Sequence, residues 1–171
     1  SEYDWTKRCG SNLLNIEMDD YDVAARDETQ MNKSLVRLRD NIVPPGRLFV
    51  KEYPTSQVTV PDIEAYLKDV QDSKGVKLKV VVINYINILA NYRNGNTENT
   101  YMKIKQIAED LRAMAIRNEW LIITETQINR GGYDTTDLKM NDIAESAGLS
   151  HTADMMFGLI QDTQMHLDRT Y

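Results

Sequence analysis

Two carboxamides stand where a ligand would be met. Asn84 follows the run K-V-V-V-I, Lys79 to Ile83, and Gln127 follows W-L-I-I-T-E-T, Trp120 to Thr126. Val80 to Ile83 is an unbroken β-branched run, which suits a strand buried on both faces of a parallel sheet. Trp120 to Thr126 reads as a second buried strand. In open α/β sheets, ligands bind outside the carboxyl ends of the strands. Polar groups at two such ends, followed by polar loops, suit a nucleotide-driven machine. On the residues alone, Asn84 and Gln127 could equally be satisfied strand-end amides. The glycine-bearing loop R-G-G-Y-D-T-T-D-L-K-M-N, Arg130 to Asn141, is the other stretch open to contact. Asp19, Asp20 and Asp22 read as a solvated turn and helix start rather than a metal site. Cys9 has no metal-type spacing around it.

Other elements must position these groups. Glu2 to Ile16 has helical spacing, with Trp5, Cys9, Leu13 and Ile16 on one side. Asp27 to Ile42 predicts a second helix, with Met31, Leu35 and Leu38 on one face. Pro44-Pro45-Gly46 stops it. Arg47 to Tyr53, R-L-F-V-K-E-Y, alternates like a strand that Pro54 closes. Thr59 can cap a helix beginning near Pro61, with Ile63, Tyr66, Leu67 and Val70 buried and Gly75 just past its end. Asn91 to Asn99 is a polar loop. A long helix runs from about Glu98 to Asn118, with Ile104, Ile107, Ala108, Leu111 and Ala115 recurring on one face. Asp142 to Ala147 predicts a short helix and Asp154 to Ile160 a last strand. Alternating strands and helices predict a single α/β domain over residues 1–171 with a mostly parallel sheet flanked by helices. It comprises a helical lead-in at 1–43, core strands and helices at 46–160 and a tail at 161–171.

Length and composition agree with one ordinary domain. The chain has 171 residues, 42% hydrophobic and 27% charged, enough for a packed core and too apolar for a disordered segment. One cysteine excludes an internal disulfide and predicts a reducing compartment. The sequence predicts no membrane span and no signal peptide. The net charge of −6 argues against a broadly basic nucleic-acid binder, but leaves room for local contact through loops and backbone amides.

Four ordered segments carry a resemblance. V-V-V-I-N-Y-I-N-I-L, Val80 to Leu89, resembles the Walker B strand of the DnaB-type replicative helicases, a branch of the RecA-like ATPases. I-A-E-D-L-R-A-M-A follows at the family's distance. L-I-I-T-E-T-Q-I-N-R, Leu121 to Arg130, resembles the sensor strand ending in Q-x-N-R. M-N-D-I-A-E-S-A-G-L-S-H-T-A-D, Met140 to Asp154, resembles the loop and helix that face DNA. G-R-L-F-V-K-E-Y-P, Gly46 to Pro54, is similar to the preceding strand in helicases of T-even-type bacteriophages. The first helix is a looser match to the one after the family's second core strand. The resemblance implies a helicase that couples ATP hydrolysis to translocation on single-stranded DNA, working as a ring, a hexamer, with Mg²⁺-ATP between subunits, in the cytoplasm of a bacterial host. Gln127 would read the γ-phosphate and relay its loss to the DNA loops. Asn84 would stand where the family has an aspartate holding the water shell of Mg²⁺. Arg130, Gly131, Gly132, Lys139 and Asn141 would grip the strand backbone, with Arg93 a secondary candidate.

The pattern also fails in places. No G-x-x-x-x-G-K-[ST] occurs in the 171 residues, and a phosphate cradle needs its glycines, lysine and hydroxyl together. Asn84 keeps the shape of an aspartate without the charge that anchors Mg²⁺. By the resemblance, the catalytic glutamate would precede Ser1 and the arginine finger would follow Tyr171. The expectation is therefore a truncated RecA-like sheet, without its P-loop strand and second core strand, in a chain that does not turn over ATP alone. Its open edges would close up in altered order or pair with a second copy of the chain. The alternative is a non-catalytic DNA-binding or assembly module of the same fold. A recombinase or circadian-clock relative is disfavoured by D-I-A-E-S-A and Q-I-N-R.

Overall fold

The computed structural model describes residues 2–41, 46–93, 99–127 and 147–159. The chain forms two compact units, residues 1–53 and 54–171.

The first unit is helical: α1 (Glu2–Leu14), α2 (Tyr21–Ala24) and α3 (Glu28–Asn41). Asp22 ties α2 to α1, accepting from Tyr3 Oη and from Lys7 Nζ, the latter at 2.6 Å. Gly10 lets Tyr21 lie against α1, since a Cβ there would overlap the Tyr21 ring. Among the described residues of this unit no apolar side chain is buried, and Ser11 is the buried residue. Trp5 and Leu13, expected on a packed face, are exposed. The strand expected over Arg47–Tyr53 does not form; that segment belongs to no described element. Alternation gives a chain a strand's shape, but a strand exists only when another strand takes its hydrogen bonds.

The second unit holds the core. Helix α4 (Val60–Lys74) starts at a capping box: the Thr59 side chain accepts from Asp62 N–H, and Asp62 accepts from Thr59 N–H. It ends at Gly75, whose φ of 60° and ψ of 41° lie in the left-handed region open to glycine. Strand β1 (Val80–Ile83) follows, then a 3-10 turn (Ile86–Ile88), α5 (Thr100–Asn118), β2 (Leu121–Thr124) and α6 (Ala147–Ser150). Asn99 caps α5 by accepting from Met102 N–H. Ile104, Ile107, Leu111 and Met114 of α5 pack in the same core as Val60, Ile63 and Val70 of α4 and Val81 and Ile83 of β1.

β1 and β2 pair in parallel, Val80 opposite Leu121 through Ile83 opposite Thr124. Parallel pairing between consecutive strands needs a crossover, and α5 supplies it. The expectation that both strands are buried on both faces is wrong. Val81 and Ile83 are buried, whereas Val82 is 64% and Leu121 59% exposed. Side chains alternate across a strand, so one layer of helices covers one set and leaves the other open. The expected last strand is also absent over the described residues 154–159, where Phe157 is 81% and Leu159 95% exposed. No described strand lies beside it to complete a ladder. Of the helix expected at Asp142–Ala147, residues 142–146 lie outside the described set, and α6 begins at Ala147.

Candidate nucleotide and nucleic-acid interface

The register of the parallel pair sets the site. Ile83 lies opposite Thr124, so the chain leaves both strands at the same level and in the same direction. The two tips are then tied to one another. Thr124 Oγ1 donates to the Ile83 carbonyl at 2.8 Å, Ile86 N–H donates to the Glu125 carbonyl at 3.3 Å, and Thr126 Oγ1 donates to Asn87 Oδ1 at 3.0 Å. Gln127 Nε2 donates to Tyr85 Oη at 3.4 Å, which brings the Gln127 amide against the neighbour of Asn84. Asn84 and Gln127 are both exposed. Ile86, 1% exposed, anchors the first tip in the core beneath them.

The donor set decides which groups this tip could hold. Around it are the Asn84 and Gln127 amides, the Tyr85 phenol, the Thr126 hydroxyl and the Glu125 carboxylate. Amides and hydroxyls can hydrogen-bond a phosphate oxygen or an ordered water. Mg²⁺ asks for carboxylates in octahedral array, and Asn84 offers a neutral oxygen. No group of three or more His, Cys, Asp or Glu among the described residues could hold a metal ion. The residues present therefore do not by themselves fit Mg²⁺, and no lysine-bearing glycine loop exists to cradle a phosphate chain.

The candidate backbone-gripping residues Arg130, Gly131, Gly132, Lys139 and Asn141 lie outside the described residues. Helix α6 is fastened to α5. Gly148 sits so close to Lys105 that a Cβ would come within 2.8 Å of the Lys105 Cβ. Arg112 donates to the Thr152 carbonyl at 2.6 Å and pairs with Asp154 at 2.7 Å. Arg93 is described, and it faces α5: its Nη2 donates to Asp110 Oδ1 and its Nη1 is 3.7 Å from Glu109 Oε2. Hydrogen bonds to Tyr92 and then to Asp110 raise its pKa further above the ordinary arginine value. Sequence reasoning did not single out Asp110. The signal existed, because Asp110 lies three residues after Ile107 and four before Met114, both buried on α5.

A polar cleft of about 490 Å³ lies away from the strand tips, lined by Gln71, Lys77, Arg117 and Glu119 among others. Beside it, Glu64 accepts from Arg117 Nη2 at 2.7 Å, Asn118 Nδ2 at 2.9 Å and Lys68 Nζ at 2.9 Å. The Arg117 hydrogen bond, joined by those from Asn118 and Lys68, outweighs partial burial and lowers the Glu64 pKa to about 2. This cluster joins α4 to the end of α5. No described helix is long and apolar enough to cross a membrane.

Comparison with known proteins places the chain in a family and a fold. Residues 2–170 match the family described as DnaB-like helicase C terminal domain. A DnaB-like replicative helicase of Enterobacteria phage T4 is 32% identical over 160 residues, which cover 93% of this chain and 34% of that protein. The replicative DNA helicase DnaB of Geobacillus stearothermophilus is 27% identical over 116 residues, 67% of this chain and 25% of that one. A solved DnaB-like replicative helicase, described with its interactions with primase, shares the fold. Its TM-score is 0.63 at 22% identity, over 86% of this chain and 36% of its own. The chain thus spans about a third of the phage relative and of the solved protein.

Proposed function

We propose, from the premise that this chain belongs to the DnaB-like helicase C-terminal domain family, that it serves a replicative helicase driving itself along single-stranded DNA by ATP hydrolysis. The expected RecA-like fold class stands, as a short parallel sheet covered by helices on one face among the described residues. The observation that carries the reading is the register of β1 and β2, which sets Asn84 and Gln127 at neighbouring tips. Gln127 would contact the terminal phosphate of ATP, and the hydrogen bonds between the tips would pass its loss to β1 and α5. Asn84, at the neighbouring tip, would hydrogen-bond a phosphate oxygen or an ordered water through its amide. Arg130, Gly131, Gly132, Lys139 and Asn141 would grip the DNA backbone, as amides and two cations can do without a basic surface. The working protein would be a ring, a hexamer, in the cytoplasm of a bacterial host.

These 171 residues alone would not turn ATP over. Every 1.36 kcal/mol of lost transition-state stabilisation costs tenfold in rate, and they carry no phosphate cradle. A phosphate-release assay with Mg²⁺-ATP and single-stranded DNA tests this. No turnover is expected, and steady turnover by the pure chain would defeat the proposal. The neutral Asn84 also favours a second reading, a module that binds DNA or assembles with its neighbours and hydrolyses nothing. Titration of labelled single-stranded DNA addresses the shared part of both readings. Binding that weakens in an Arg130→Ala/Lys139→Ala variant supports it; no binding at all removes the DNA role.

A further inference from the structure

The segment leaving the first strand tip is fastened to α5 by polar side chains. Asn91 Nδ2 donates to Gln106 Oε1 at 2.6 Å, and Asn91 Oδ1 accepts from Arg93 N–H at 3.1 Å. Arg93 completes the attachment. Its guanidinium donates to Asp110 Oδ1 and stands 3.7 Å from a Glu109 oxygen. Asp110 is 6% exposed, and its second oxygen, Oδ2, is buried with no hydrogen-bond partner. The Arg93 side chain remains 40% exposed. Two carboxylates therefore meet one guanidinium, and these three groups sum to −1; Arg117, also within reach of Asp110, is paired with Glu64. A phosphate approaching Arg93 meets a cation already neutralised and one surplus negative charge. If Arg93 left, Asp110 would be a buried carboxylate without a counter-charge, which folded proteins strongly disfavour.

We infer that Asp110 is a positioning residue that withholds Arg93 from nucleic acid, so that Arg93 latches the segment after β1 onto α5. The inference rests on the single-stranded DNA binding proposed above. Opening the latch turns Arg93 into a phosphate contact. The latch thereby assigns Arg93 a different task from the backbone contact that the family resemblance implies.

The test measures binding of the full chain to a fluorescent oligothymidylate over a range of salt. Each phosphate neutralised on a single strand adds about 0.7 to the slope of log affinity against log salt. Asp110→Asn should steepen that slope by about 0.7, so that a fourfold rise in salt weakens binding roughly threefold more than in the wild type. The double variant Arg93→Ala/Asp110→Asn should return to the wild-type slope. Circular dichroism establishes that each variant is folded. Should Asp110→Asn not fold, Glu109→Gln, on the partly exposed side of the pair, is the second variant, and it should steepen the slope in the same direction by a smaller amount. A slope that does not change in the folded variants while binding persists would overturn the inference and leave the DNA-binding reading standing. A gain that survives in the double variant would overturn it too, since general charge would then explain the effect. So would an Arg93→Ala slope flatter by about 0.7, which would place Arg93 on a phosphate already. No binding by any form would remove the DNA-binding reading and this inference with it.

Discussion

Glu64 shows what one side chain can hold together. Its side chain is 13% exposed and accepts from Arg117, Asn118 and Lys68, joining α4 to the end of α5. Its folded pKa lies below its unfolded value, so the stabilisation is present above the unfolded value near 4.5 and is lost as pH falls toward about 2. Arg117 and Lys68 are more than half exposed, which discounts the shift heavily. Glu64→Gln should cost about 1–2 kcal/mol at pH 7 by urea unfolding. The gap from wild type should shrink through the window from 4.5 to 2. The charged residues were the least legible in sequence. Asp110 sits within I-A-E-D-L-R-A-M-A and reads as an ordinary solvated helix charge. Only the buried neighbours at helical spacing show otherwise, and its partner Arg93 lies 17 residues away across a loop. Asn84 was legible because it ends an apolar run directly after β1, whereas the strand expected over Trp120–Thr126 spans only Leu121–Thr124 and leaves Gln127 three residues beyond its end.

Elements whose causes are local were legible. The Thr59 cap, Gly75 beyond the end of α4, and the buried face of α5 all follow from neighbours within a few residues. Thr59→Ala should cost about 1 kcal/mol, read from the shift in the urea midpoint. Ile104 is fully buried on α5, and Ile104→Ala should cost about 2–5 kcal/mol. The strands divide differently. Their apolar runs identify β1 and β2, but which faces are covered depends on helices remote in sequence. The open face makes a sharp contrast available. Ile123→Thr, at a 48% exposed position, should change stability by less than about 0.5 kcal/mol, while Val81→Thr should cost at least about 1 kcal/mol. Arg47–Tyr53 alternates like a strand and residues 154–159 are rich in apolar side chains, yet neither pairs with a described strand. Periodicity reports which side chains want cover, and it is silent on where a pairing partner lies.

At the scale of the whole molecule, exposed apolar surface is the dominant feature. Among the described residues, β1 and β2 form a sheet of two strands, with Val80, Val82, Leu121 and Ile123 open on one face. Isolated two-stranded sheets are marginal, and unpaired edges invite other chains. Light scattering should show association rising with protein concentration, and Val82→Lys should weaken it. A strict monomer at every concentration would contradict this expectation. The family was legible from ordered segments, whereas the separation into units at residue 53 was not. No glycine-rich linker marks it, and Pro54 at its border has the look of a strand end in sequence. The contact of Gly148 with Lys105 has a consequence for engineering. One added methyl at Gly148 meets not a flexible tip but the root of a side chain, so the short helix would be wedged outward from its seat. A chemist wishing to set α6 a fraction of an ångström farther from α5, without touching a charge, has that single hydrogen to replace.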